Sequence, residues 1–372
     1  MGMKETDGNT KRWAWLVLHL VPGLGNIVFR NLFEYFGNAE QILEAKFADL
    51  KAVVGVRDEI ARRILRREFS IDPAQVLKEM DRLRAKILVY NDPSYPRLLK
   101  EIYDPPMVLY VRGQELAPDM GLVGLVGSRN PTPYGLRIAE ELGQGLAKRG
   151  MGVVSGMARG IDTASHWGCL SGKGWTVAVL GTGIDRIYPR SNAKLFQRIL
   201  EAGTIFSEFP PGTPPEPQNF PIRNRVISGL CSGVVVVEAT NKSGSLITAA
   251  LALDQGREVF AVPGNISSFK SKGCHFLIKQ GAHLVENADD ILEALGLSRP
   301  QEQMVLADFK GHGSPSLSGT EEAIYDMIGD DPVHIDLIAR SKNLSPAEAS
   351  TILMQMELKG LIRQLPGKLF VR

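Results

Sequence analysis

The spacing of apolar positions changes abruptly along this chain. Between residues 11 and 87 they recur at helical intervals, broken by short glycine-containing turns at Pro22-Gly23-Leu24-Gly25, Gly37-Asn38 and Gly55. That pattern predicts a bundle of short helices. From Leu88 to Gly113 the chain reads as extended and proline-punctuated. From Gly121 onward short apolar runs precede glycine-rich turns and helical stretches: Leu122–Val126, Gly152–Ser155, Thr176–Leu180, Thr204–Ser207, Val234–Glu238, Glu258–Val262 and His283–Val285. Strands alternating with helices imply βαβ units and a mostly parallel sheet. The runs are nearly all Val, Ile, Leu and Ala, as expected where both faces of a sheet are covered.

Residues 298–319 lose this periodicity and read as a linker, being too long for a loop inside a compact domain. Beyond them Glu321–Ile328, Val333–Ser341 and Ser345–Lys359 read as helices, and Leu361–Arg372 as a hairpin turning at Pro366-Gly367. Three helices and a hairpin make a winged-helix pattern. The expected class is therefore α/β, with a helical domain over 1–87, a parallel-sheet domain over 88–297, the linker over 298–319 and a winged helix over 320–372.

Composition narrows the class without naming a function. The 372 residues are 44% hydrophobic and 23% charged, close to an average globular protein. No run reaches the ~18 apolar residues of a membrane span. The apolar stretch Trp13–Leu24 is interrupted by His19 and reads as a helix rather than a targeting segment. Cys169, Cys231 and Cys274 are isolated, with no metal-ligand spacing, which points to a reducing, cytoplasmic setting without a structural metal.

Lys plus Arg total 43 against 41 for Asp plus Glu, and a net +2 does not by itself announce a nucleic-acid binder. The distribution changes that picture. Residues 1–90 and 121–297 each carry a net +3, whereas 91–120 and 320–372 each carry −2. The basic groups belong to the helical and sheet domains.

Four glycine- or serine-rich turns follow expected strands: Gly127-Ser128-Arg129, Ser155-Gly156-Met157-Ala158-Arg159-Gly160, Gly181-Thr182-Gly183 and Lys242-Ser243-Gly244-Ser245. In a parallel sheet the strand C-termini share one edge, so these turns converge on one crevice whose amides and cations suit phosphate. A dinucleotide cofactor would place an acid at the end of the second strand, where Val154-Ser155-Gly156 stands instead, and no GxxxxGK[ST] occurs. No cofactor is expected. The segment Phe209–Arg225 contains six prolines and ends in Asn219-Phe220-Pro221-Ile222-Arg223-Asn224-Arg225. Proline pre-orders such a loop, and Phe220 beside Arg223 and Arg225 can stack on a base while the guanidiniums hold phosphate. The alternative is Phe220 tucked into the core and Arg223 paired with a carboxylate.

His166, His275 and His283 have no nucleophile or carboxylate partner by spacing, and Asp162 and Asp185 suit loop-orienting roles better than acid catalysis. The turns at Gly23 and Gly55 could grip a DNA backbone as helix-hairpin-helix turns do, or merely connect helices. Arg62, Arg63, Arg66 and Arg67 follow the second. The third helix of the winged helix carries Glu348 and Glu357 against Lys359, a poor match to phosphate, and suits protein docking.

Asp92-Pro93-Ser94-Tyr95-Pro96, Val126-Gly127-Ser128-Arg129, Ser155 through Asp162, Gly181-Thr182-Gly183, Tyr188-Pro189, Asn219 through Leu230 and Ser243 through Ala249 together resemble the bacterial DNA processing protein A family (DprA, also called Smf). The match is dense from about Leu88 to Asn287. It implies an extended Rossmann-type domain flanked by a helix-hairpin-helix or SAM-like domain and a winged helix. It also implies a homodimer that binds and protects single-stranded DNA and loads the RecA recombinase in natural transformation. The implied DNA contacts are Arg129, Arg223, Arg225 and Lys242. With the strand-edge reading, the expected interface is Gly127, Ser128, Arg129, Ser155, Gly156, Arg159, Phe220, Arg223, Asn224, Arg225, Lys242, Ser243, Gly244 and Ser245. A distantly similar phosphoribohydrolase family carries a catalytic Glu in a PGGxGTxxE signature. Thr248 stands there in this chain, so binding is favoured, with nucleotide processing in the same crevice as the alternative. The apolar Phe276-Leu277-Ile278 is a candidate dimer surface.

Overall fold

The computed structural model describes residues 5–117, 119–297, 319–329, 333–342, 344–358, 361–365 and 367–371. The expected linker lies outside these except for Gly319, as do Lys359 and Pro366. The chain forms two compact units that divide at residue 298.

The first unit opens with six helices, α1 (Glu5–His19), α2 (Asn26–Phe36), α3 (Ala39–Glu44), α4 (Phe47–Ala52), α5 (Asp58–Arg66) and α6 (Pro73–Arg82). Local chemistry sets their ends. Asn38 caps α3 by accepting from the Gln41 amide, and Asp72 caps α6 ahead of a proline in its first turn. These helices do not stand apart as a separate domain. Trp15, Phe29, Leu32, Ile42 and Ile64 share one core with Met107, Tyr110, Leu180 and Ile205 of the sheet region.

Nine strands follow: β1 (Lys86–Val89), β2 (Val108–Gly113), β3 (Leu122–Val126), β4 (Gly152–Ser155), β5 (Thr176–Leu180), β6 (Gly203–Ser207), β7 (Gly233–Val236), β8 (Glu258–Ala261) and β9 (His283–Leu284). The order is β1-β2-β6-β5-β4-β3-β7-β8-β9. Strands β3 to β9 pair in parallel, while β1 and β2 join the β6 edge antiparallel. The proline-punctuated stretch therefore holds two strands and a short helix, α7 (Arg97–Lys100). Its periodicity is hidden because the prolines fall between the strands. The remaining helices are α8 (Pro133–Lys148), α9 (Ile161–Ser171), α10 (Ala193–Ala202), α11 (Asn219–Gly229), α12 (Gly244–Asp254), α13 (Lys272–Lys279) and α14 (Ala288–Ala294). They cover both sheet faces, and β3 to β7 are buried at every position.

A half-buried histidine, His19, and a fully buried one, His166, make this unit acid-sensitive. Burial holds the His19 imidazole down at about 4 and the His166 imidazole at about 3, the latter also disfavoured by the Arg223 charge. Both rings are neutral when folded, so the unfolded chain binds more protons below the ordinary histidine value. Stability is full above pH 6.5 and is lost as pH falls toward 4, by about 3 kcal/mol for His19 alone. Thermal melts across this range should show a plateau at neutral pH and a steep acid limb that His166→Gln flattens; an unchanged limb would refute the assignment.

The second unit holds α15 (Gly319–Tyr325), β10 (Val333–His334), α16 (Ile335–Ser341), α17 (Pro346–Leu358), β11 (Arg363–Leu365) and β12 (Leu369–Val371), with strand order β10-β12-β11. Its core is built from Ile324, Ile328, Ile338, Leu353, Met356 and Phe370. This is the winged helix expected, except that Val333 and His334 belong to a strand. His334 ends that strand and caps α16 by accepting from the Asp336 amide.

Candidate functional site

In the sheet order β3 lies between β4 and β7. The chain thus builds outward from β3 in one direction, then returns to build on its other side. The loops leaving β3 and β7 diverge at this switch point and leave a crevice beyond the strand C-termini. A cleft of about 550 Å³ fills that position, lined by Gly127, Ser128 and Arg129 after β3, Ala158 and Asp162 after β4, Phe220, Arg223 and Asn224 on α11, and Ser243, Gly244, Ser245 and Thr248 around the start of α12. A smaller recess of about 50 Å³ adjoins it, bounded by Arg129, Gly156, Arg159, Gly181, Thr182, Tyr188 and Phe220. All four glycine-rich turns therefore border the same edge.

Phe220 stands where the two cavities meet. The proline-rich loop ends one element earlier than its composition suggests, because Asn219 begins α11 and Pro221 sits in the first turn, where a missing amide is tolerated. Half-buried Phe220 packs within 5.7 Å of the Tyr188 ring, and the Arg129 and Arg223 guanidiniums lie over its face at 5.4 and 5.8 Å. Arg129 is exposed and has no carboxylate partner among the described residues. It is a free cation at the mouth of the cleft.

Arg223 has a different role. It is 4% exposed, and its Nη1 donates to the carbonyls of Gly156, at 2.7 Å, and Val179. A Cβ at Gly156 would fall 2.4 Å from that nitrogen, so only glycine allows this approach. Asp162 completes the knot. Its buried carboxylate accepts from the Gly156 amide at 3.1 Å and the Ala158 amide at 3.3 Å. Burial raises the Asp162 pKa while the Arg223 charge opposes that rise, and burial brings the Arg223 guanidinium down to about 10, still protonated at neutral pH. Arg223 thus ties the turn after β4 and the end of β5 to α11, while Asp162, at the start of α9, closes the β4 turn onto that helix.

Some expected interface residues are not brought to the cleft surface. Arg225 is 7% exposed and faces away, its guanidinium bonded to both Glu208 oxygens and to the Asp104 carbonyl. Two residues along a helix from Arg223, it cannot share that residue's face. Ser155 is fully buried, its hydroxyl donating to the Leu125 carbonyl. Lys242 is exposed in the β7–α12 turn but does not line the cleft, and Arg159 is exposed on the rim of the small recess. Ser243 caps α12 by accepting from the Ser245 amide, and Asn224 accepts from Arg223 Nε at 3.2 Å.

Two contributors escape a reading of the sequence. Tyr188, 43% exposed, adds a second ring beside Phe220; a tyrosine before a proline in a loop is its only trace. Glu238 is 5% exposed and accepts from the Thr132 amide and hydroxyl, fixing the start of α8 beside the turn carrying Arg129. An acid ending an apolar strand was the available signal.

Comparison with known proteins gives a consistent result. The family model described as DNA recombination-mediator protein A matches residues 86–296, and that of the DprA winged helix domain matches 311–368. Protein Smf of Synechocystis sp. is 35% identical over 98% of this chain and 99% of its own. DNA processing protein DprA of Streptococcus pneumoniae is 40% identical over 73% of this chain and 93% of its own. Among solved structures, the S. pneumoniae DprA covers 75% of this chain and 95% of its own with a TM-score of 0.67 and 39% identity. A Helicobacter pylori DNA processing protein A, described for its single-stranded DNA binding mode, covers 57% of this chain and 96% of its own with a TM-score of 0.52 and 30% identity.

Proposed function

This chain belongs to the DNA recombination-mediator protein A (DprA) family, and from that premise we propose that it binds and protects single-stranded DNA and loads the RecA recombinase onto it during natural transformation. The convergence of four amide-rich turns, the unpaired Arg129 and the Phe220–Tyr188 ring pair on one open cleft carries this reading. Amides and Arg129 take phosphates, and the rings stack on bases without reading sequence. Arg159 and Lys242 extend the positive rim. Arg223, Asn224 and Ser155 hold the turns in place, and Arg225 acts at one remove through α11.

The protein acts as a binder rather than an enzyme. Asp162 is the acid lining the large cleft, and its carboxylate is committed to the Gly156 and Ala158 amides. Thr248, where the phosphoribohydrolase-like signature has its acid, is buried and supplies no carboxylate.

Two protein partners complete the proposal. A second copy of the chain docks on the groove of about 800 Å³ lined by Leu246, Ile266, Phe276 and Ile278, where Phe276 is 54% exposed. The winged helix, with its acidic recognition helix, meets another protein. The described chain has no helix long and apolar enough to cross a membrane, in keeping with cytoplasmic work on DNA.

Replacing Arg129 tests the cleft directly. Arg129→Ala should weaken binding to every single-stranded sequence alike and flatten the dependence of log affinity on log salt by roughly 0.7, the share of one phosphate on a single strand. Fluorescence anisotropy with mixed-sequence and homopolymer strands at several salt concentrations checks this, and an unchanged affinity and slope would remove Arg129 from the interface.

A further inference from the structure

The helical bundle contains an internal duplication that single-strand binding in the cleft leaves unused. The turn before α2 and the turn before α5 align without a gap at a spacing that carries Gly23 onto Gly55, Val28 onto Ile60, Arg30 onto Arg62, Asn31 onto Arg63 and Leu32 onto Ile64. Both glycines have positive φ, +81° and +90°. The packing is reciprocal. A Cβ on Gly23 would fall 3.1 Å from Ile60, and one on Gly55 would fall 3.1 Å from Val28, the equivalent residue of the other copy. The hydrogen bonds are reciprocal too: Asn31 donates to the Val54 carbonyl at 3.1 Å, and its counterpart Arg63 donates to the Pro22 carbonyl at 2.9 Å. Each copy thus pins the turn of the other, and a local two-fold axis runs between them.

That symmetry has a partner with the same symmetry. The two strands of a DNA duplex are related by dyads perpendicular to the helix axis, and paired protein modules mirror them. A single strand has none. The tips of both turns are open: Gly23, Gly25, Val54 and Gly55 are exposed, Val54 at 81%. The surrounding charge favours phosphate independently of turn geometry. Arg57 and Arg67 are exposed with no carboxylate partner among the described residues, while Arg62 and Arg66 are 62% and 71% exposed and reach carboxylates only at 3.8 and 3.6 Å. Pairs this exposed contribute little and yield readily to phosphate.

We infer that the doubled hairpin is a second DNA site, taking the sugar–phosphate backbones of a duplex across its two-fold axis. The two copies divide the labour unequally. The second carries the arginines. The first presents its open Gly23–Gly25 tip, while Asn26 just behind that tip anchors the module to the sheet by donating to Glu208 at 2.6 Å and accepting from the Met107 amide at 3.1 Å. Combined with a single strand in the cleft, which rests on the function proposed above, the protein is built to recognise the junction where a single strand leaves a duplex.

The test uses the full chain and three fluorescent probes: a duplex, a single strand, and a duplex with a single-stranded extension. The unaltered protein should bind the blunt duplex measurably and the junction at least about tenfold more tightly than a single strand of equal total length. The triple variant Arg57→Ala, Arg62→Ala, Arg66→Ala should lose that preference and lower the duplex salt slope by roughly 2 to 3, with single-strand affinity unchanged. Gly25→Asp probes the other copy: nothing lies within 4 Å of the added Cβ, and the backbone there is extended, so it folds while placing an anion at the first tip. It should also abolish the junction preference. Arg129→Ala should do the reverse, weakening single-strand binding and leaving duplex binding unchanged, so the two sites fail separately. No duplex binding by the unaltered protein, or a Gly25→Asp variant that keeps the full preference, would overturn the inference.

Discussion

Replacing Arg223 by alanine is expected to disable the cleft and destabilise the first unit together, although this side chain presents almost nothing to solvent. Its removal strands the Gly156 and Val179 carbonyls and takes away the larger of the two positive charges, those of Arg223 and Arg129, that favour the buried Asp162 carboxylate. Each buried carbonyl left without a donor costs about 1–3 kcal/mol, so two together with the weakened Asp162 environment amount to several kcal/mol. The turn after β4 then loses its tie to α11, and Phe220 loses one of the two guanidiniums over its ring. Single-strand affinity should fall by at least about a hundredfold, beyond the share of one phosphate contact. Arg223→Lys keeps a charge but not a planar fork able to serve two carbonyls, so it should fold with intermediate stability and still bind poorly. Urea denaturation and strand titration on both variants check this. An Arg223→Ala protein as stable as the parent, or an Arg223→Lys protein that binds normally, would show that the knot is not what shapes the cleft.

The contrast between Arg129 and Arg223 marks what could be read from residue order. The alternating apolar runs gave the parallel sheet nearly to the residue, because strands covered on both faces leave little compositional freedom. The four turns were visible for a related reason: glycine and serine at the end of an apolar run are unusual unless a backbone must approach something closely. What residue order does not carry is which face of α11 each arginine takes. Arg223 and Arg225 look equivalent in sequence, yet one turns toward the β4 turn and the other toward Glu208. That outcome depends on where Pro221 lets the helix begin. The strands β1 and β2 were less distinct because prolines separate them and because β2 finds its second partner, β6, only after three further strands of the chain. The internal two-fold of the helical bundle was half visible: two glycine turns could be seen, but the exchange of Asn31 and Arg63 onto each other's turn is a tertiary fact.

Arg225, turned away from the cleft, should prove to be the joint of the first unit. Its Nη2 reaches both Glu208 oxygens at 2.5 and 2.7 Å, its Nη1 reaches the Asp104 carbonyl at 2.7 Å, and its Nε lies 3.1 Å from the Asp104 carboxylate. Glu208 also accepts from Asn26 of α2. One ion pair therefore links the helical bundle, the β1–β2 connection, the end of β6 and α11. With Arg225 and Glu208 both under 10% exposed, solvent screening is weak, and Arg225→Ala leaves Glu208 buried beside an already disfavoured Asp104, whose pKa is raised by burial and by the Glu208 charge. The expected loss is about 3–5 kcal/mol, a fall in melting temperature of roughly 10 °C for a unit of this size. Removing both charges should cost much less. Arg225→Met with Glu208→Gln keeps volume and leaves an amide that Asn26 can still meet, so it should recover most of the lost stability. Calorimetric melts of the two single variants and the double variant give the coupling directly. Strict additivity would show that the pair does not act as a unit. If the double variant melts like the parent and still binds single strands, Arg225 serves the architecture alone, and the contacts with DNA fall to Arg129 and its neighbours on the cleft rim.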